Sequence, residues 1–190
     1  TDTHDAETLL LRSPALDAVL HEHGSEEKLA RYTAQHGPLR DVLVRLGRDV
    51  GYLRWHSQRA GLALRFEGFD VSKAVDATFT MLDRNEATRI VLARSQKTPL
   101  QSAVIAATDA LRAPTHDPWD VCCGHDLSAL LAHGLKKVLG SHDVAPDEIE
   151  KDLRLAFERG HFERTGVFAA LRAWEMTNPS FAILAPPPTP

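Results

Sequence analysis

Pro38-Leu-Arg-Asp-Val-Leu-Val-Arg-Leu-Gly-Arg-Asp-Val-Gly-Tyr-Leu53 is the longest periodic stretch in this sequence, and its spacing decides the fold class. Leu39, Val42, Leu43, Leu46, Val50 and Leu53 recur at three- and four-residue intervals, which places them along one face of a helix. Pro38 suits the start, because its fixed φ and missing N–H cost nothing there. Arg45, Arg48 and Arg59 cluster on the opposite face. Gly47 and Gly51 weaken a helix here, so they mark a kink or a close packing contact.

Outward from this segment, most of the chain gives helix signals. Ser13-Pro14 leads into a helix over residues 15–22 that stops at Gly24, and Ser25 opens another ending near Gly37. Asp83 with Glu86, and Thr98-Pro99, begin two more. Gly124-His125-Asp126 launches a helix with Leu127, Leu130, Leu131, Leu135 and Val138 on one face, and Pro146 starts one carrying Ile149, Leu153 and Phe157. Gly160 separates that helix from a last one bearing Phe162, Val167, Phe168, Leu171 and Trp174. Leu62-Ala-Leu-Arg-Phe66 and Trp119-Asp-Val-Cys-Cys123 are the two short strand candidates. The expected fold is mostly α, a single helical domain over residues 1–184 followed by a proline-rich tail at 185–190.

At 190 residues, 43% hydrophobic and 25% charged, the chain is an ordinary globular protein able to bury a core. No apolar run approaches a membrane span, and the two cysteines, Cys122 and Cys123, are adjacent and form no disulfide framework, so a cytoplasmic location is expected. The first residue is not methionine, which suggests a piece of a longer protein, a removed initiator methionine being the alternative. A net charge of −4 gives no general affinity for nucleic acid, but residues 31–65 hold seven arginines against two acids. Arg45, Arg48 and Arg59 are the candidate nucleic-acid contacts on that strip. A solvated helix face is the plainer account, and no interleaved aromatic suggests a stacking platform. Trp55, Trp119 and Trp174 read as core residues.

Two clusters carry chemistry. Asp2, His4, Asp5 and Glu7 put three carboxylates and an imidazole within six residues, which suits Mg²⁺ held by Asp2, Asp5 and Glu7 with a phosphate completing the shell. The same residues also suit a capped, acidic helix start. In Gly124-His125-Asp126, His125 is a candidate general acid or phosphate contact and Asp126 its orienting partner; Asp126 is equally a natural N-cap.

Thr1-Asp-Thr-His-Asp-Ala-Glu7 followed by Leu-Leu-Leu-Arg-Ser-Pro-Ala-Leu16 resembles the later acidic motif of a Toprim-like family of bacterial anti-phage effector nucleases of the PARIS type. Gly51-Tyr-Leu-Arg54, the Gly-His-Asp-Leu of residues 124–127, Leu153-Arg-Leu-Ala-Phe157 and the 162–175 run ending Ala-Trp-Glu extend the resemblance over nearly the whole chain. It implies the C-terminal part of an α/β, Mg²⁺-dependent phosphodiesterase, with residues 1–12 at the edge of the site. Asp2, Asp5 and Glu7 would then lie beside the metal, and His125 would stand where relatives often carry a lysine near the phosphate. The glutamate and Asp-x-Asp strands of such enzymes are not in this chain, so activity alone is not expected. The alternative is a non-catalytic helical module whose arginine face docks a protein partner or a second copy.

Overall fold

A computed structural model describes residues 5–97, 99–113, 115–140 and 142–184, and they form a mostly α protein. The helices are α1 (Ala6–Arg12), α2 (Ala15–His23), α3 (Glu26–His36), α4 (Leu39–Arg59), α5 (Arg84–Arg94), α6 (Gln101–Leu111), α7 (Pro118–Val121), α8 (Gly124–Gly134), α9 (Pro146–Ala156), α10 (Arg159–Phe162) and α11 (Gly166–Thr177). Asp2, the Thr98 cap and the 185–190 tail lie outside the described residues.

The predicted apolar face of α4 is buried, but so are Val44, Gly47, Gly51, Tyr52 and Ser57. The helix is therefore enclosed on most sides, with α6, α7 and α8 as its main neighbours. Its two glycines are close-approach sites rather than kinks. A Cβ at Gly47 would lie 2.4 Å from Leu127 Cδ2, and one at Gly51 would lie 2.2 Å from the Val121 carbonyl oxygen. The larger core joins α1, α2, α3, α4, α8 and α9 through residues such as Leu16, Leu43, Leu131 and Ile149. A smaller one, Leu53, Leu64, Val91, Leu92 and Val104, lies between the end of α4, α5 and α6.

Neither strand candidate pairs with another strand, and among the described residues there is no sheet. Residues 62–66 are broken at Ala63, whose φ of +50° is left-handed rather than extended, and side chains and the end of a helix take up three of their backbone donors. Leu64 N–H donates to Ser57 Oγ (3.0 Å), Arg65 N–H to Ser95 Oγ (2.8 Å) and Leu62 N–H to the Ser57 carbonyl (3.0 Å). At the second candidate, Asp117-Pro118 is a helix start. The Asp117 carboxylate accepts from Trp119 N–H (3.0 Å), and the chain turns into α7 before the buried Cys122.

Of the three tryptophans expected in the core, only Trp119 packs against it, and none is fully buried. Trp55 and Trp119 are half-buried and Trp174 is 42% exposed. From residue 154 to 184 no residue is buried, and no side chain beyond Phe157 joins either core. Residues 158–184, with α10 and α11, form an arm attached to the body.

Candidate functional site

The two sequence clusters meet. Asp5 is the N-cap of α1 in a capping box: its Oδ1 accepts from Thr8 N–H (2.8 Å) while Thr8 Oγ1 accepts from Asp5 N–H (3.0 Å). Its other oxygen, Oδ2, accepts from Gly124 N–H (2.8 Å), 119 residues away, at the start of α8. One carboxylate therefore serves the positive ends of two helices. The approach demands glycine: a Cβ at Gly124 would lie 2.3 Å from Glu7 Cβ, 2.5 Å from Asp5 Oδ1 and 2.9 Å from Thr8 N.

Around this junction runs a chain of charges. Arg154 on α9 donates to Glu7 Oε1 (3.1 Å) and Glu150 Oε2 (3.3 Å), and Glu150 Oε1 lies 2.6 Å from His125 Nδ1. Glu150 is well covered, whereas the His125 side chain is 67% exposed. The hydrogen bond to Glu150 holds the His125 pKa above its ordinary value; burial opposes this, and the charges of Glu150, Glu7 and Asp5 add to it. With Nδ1 engaged by a carboxylate, the ring is oriented and Nε2 is left to exchange a proton with a ligand.

Asp126 does not cap α8. It sits one residue beyond His125, is 6% exposed, and is gripped by Arg54, whose Nε (2.7 Å) and Nη2 (2.8 Å) donate to the two carboxylate oxygens. The Arg54 guanidinium also covers the Phe66 ring at 4.2 Å. Burial works against its charge, but the Asp126 hydrogen bonds and charge outweigh this and raise its pKa.

The Mg²⁺ expectation meets a poor donor set. Asp5 directs both oxygens at backbone N–H groups, Glu7 is paired with Arg154, and among the described residues no group of three or more His, Cys, Asp or Glu converges as metal ligands. As folded, these residues do not form a Mg²⁺ cage; Asp2 lies outside the described residues.

The arginine strip is interrupted. Arg45 and Arg59 are exposed and Arg48 is half-buried, its Nε buried without a hydrogen-bond partner. Between Arg48 and Arg59 the same face carries Tyr52, buried under the connection to α7. The Tyr52 hydroxyl lies 3.0 Å from His116 Nδ1, and Arg112 stands 5.0 Å over its ring while binding Asp49 (2.5 Å). Arg40 and Arg54 are committed to intramolecular contacts, Arg40 to the Ser13 carbonyl and Asp17.

Sequence reasoning missed Glu150 and Arg154 as members of the site. Their signal is an i,i+4 Glu–Arg pair on α9, one polar row beside the apolar one of Ile149 and Leu153. It also missed the aromatic group beside Arg59, because His116 arrives from 64 residues beyond Tyr52. Comparison of the chain with known protein families, with curated proteins and with solved structures finds no match.

Proposed function

We propose that this chain is the C-terminal helical portion of a phosphodiester-cleaving nuclease of bacterial defence and that the α1–α8–α9 corner is one wall of its site. The observation that supports this reading is the Asp5–Gly124 hydrogen bond, which brings the acidic motif and Gly-His-Asp into one corner. In that wall His125 moves a proton at the scissile phosphate through Nε2, and Glu150 positions it. Asp126 holds Arg54 rather than acting as an acid or base. Mg²⁺, where such an enzyme uses it, supplies charge neutralisation and an activated water; its ligands would come from carboxylates outside the described set. A reducing cytoplasm fits the two free thiols.

The test is a longer gene product carrying the residues ahead of Thr1, assayed on DNA and RNA with Mg²⁺. Cleavage should fall roughly 10²–10⁴-fold in His125→Ala, while Lys136→Ala, an exposed residue just past the far end of α8, serves as a control. Upstream sequence without a strand-borne glutamate and an Asp-x-Asp pair would remove the reading.

A different observation favours a second reading, a non-catalytic helical interaction module. In the arm, Met176 is 84% exposed, and Trp174, Phe181 and Ile183 are exposed with it. A second copy of the chain is the simplest occupant for such a surface. Light scattering across a concentration series should then find self-association that Trp174→Ser weakens; a monomer throughout counts against it.

A further inference from the structure

Beside the candidate site, between the second half of α4 and the segment leading into α7, is a cleft of about 540 Å³. Trp55, His116, Arg54, Gln58, Asp117 and Asp120 line it. We infer that this cleft binds a single unpaired nucleobase bearing an amino group, guanine being the best match. The proposal deepens the nuclease reading by naming what part of a nucleic acid the body holds next to the site.

Size comes first: pockets that enclose small ligands run to roughly 300–1,000 Å³, and a nucleoside fits within this one. The wall is aromatic and held in place. Trp55 stacks on Tyr52 with centroids 6.0 Å apart and planes 15° apart, and His116 lies 4.9 Å from Trp55. The buried Tyr52 hydroxyl at His116 Nδ1 anchors the imidazole against the indole, so the surface is formed before a ligand arrives. A flat ring stacking there gains about as much as other base–aromatic contacts, whichever base it is.

The polar groups then select among flat rings. The exposed Asp120 and Gln58 give the lining its acceptors, whereas the Asp117 carboxylate already accepts from Trp119 N–H and pairs with Arg12 at 3.6 Å. With the Arg54 guanidinium of the lining neutralised by Asp126, the Asp120 carboxylate disfavours a phosphate and suits a ring with N–H donors. Guanine offers adjacent N1–H and N2–H donors that match a carboxylate, with O6 left for the Gln58 amide. Adenine and cytosine offer one amino group, and uracil and thymine turn two carbonyls toward the acids.

The phosphate has its own partner. Arg59 is exposed on the same face of α4, with its guanidinium 5.9 Å from the Trp55 ring. Arg54 connects the cleft to the corner, since it lines the one and grips Asp126, the neighbour of His125, in the other.

The experiment uses this chain without metal. The indole N–H resonance of Trp55, assigned with Trp55→Phe, is followed by NMR during titration with GMP, CMP, UMP, ribose 5-phosphate and a guanine-containing tetranucleotide. Saturable shifts with GMP, binding about 10-fold weaker for UMP, and no shift with ribose 5-phosphate are expected. Asp120→Asn and Gln58→Ala, both at exposed positions, should cut GMP affinity and leave the rest of the spectrum unchanged. Equal binding of GMP and the tetranucleotide assigns a free nucleotide as ligand; tighter binding of the tetranucleotide assigns a strand. Equal responses to ribose 5-phosphate and GMP, equal affinity for UMP, or no response at millimolar nucleotide overturns the proposal. Because no cleavage is read, loss of the nuclease reading leaves this result standing, and the converse also holds.

Discussion

At Gly124 a single missing carbon allows the corner to close. Alanine there would press on Asp5, Glu7 and the Thr8 backbone together, and backbone cannot swing aside as a side-chain tip can. Gly124→Ala should therefore lower unfolding free energy by about 1–3 kcal/mol, as overpacked sites do, read as a reduced urea midpoint. The neighbouring imidazole makes a prediction of opposite character. Because Glu150 raises the His125 pKa, an NMR titration should find its midpoint above 6.5, and Glu150→Gln should bring it down. The sign for stability follows: this contribution is complete below pH 6.5 and fades as pH rises through the folded-state value. A midpoint unmoved by Glu150→Gln would remove the carboxylate as the cause.

Among the connecting elements, the loop between Ala74 and Asp83 is the most tightly specified. Thr78 Oγ1, Thr80 N–H and Oγ1, and Met81 N–H all donate to the Asp76 carboxylate. Burial pushes this acid up, but those donors bring it down to about 2. The loop thereby turns Phe79, at φ +58°, into the core, where its carbonyl accepts from Tyr32 Oη and its ring lies against Gly134. Burial leaves the Tyr32 hydroxyl pushed up to about 12. Asp76→Asn should cost ~1–2 kcal/mol at pH 7. Since the folded pKa is depressed from 3.8, the wild-type advantage is present above that value and disappears as pH falls toward 2; urea melts at pH 7 and pH 2.5 should find the gap closing. None of this loop is periodic, which is why the sequence reading passed over it. Helices were legible where an apolar row or a cap declared them, as in α4 and at Asp83, whose carboxylate accepts from Asn85 and Glu86 N–H. Residues 62–66 carried strand propensity, but Ala63 sits at φ +50° and no partner strand adjoins them, facts that live in the fold rather than in the segment.

Across the whole molecule, two cores share α4 and the arm shares neither. Removing residues 158–184 should leave the urea midpoint of the body unchanged within roughly 0.5 kcal/mol, the scale of surface changes; a large loss would mean that the arm supports the cores. Asp5, Glu7, His125 and Asp126 were legible as chemistry-bearing types, yet their roles were not. Whether Asp126 caps a helix or meets an arginine depended on Arg54, 72 residues earlier, and spacing along the chain is silent about such pairs. The Asp5–Gly124 bond also ties the two ends of a 119-residue loop. A tug on the chain just ahead of Ala6 is felt at the first turn of α8, beside the imidazole, without passing through the core. The first turn and His125 thus behave as one mechanical part, and whatever grips the chain ahead of α1 has a lever on the His125–Glu150 pair.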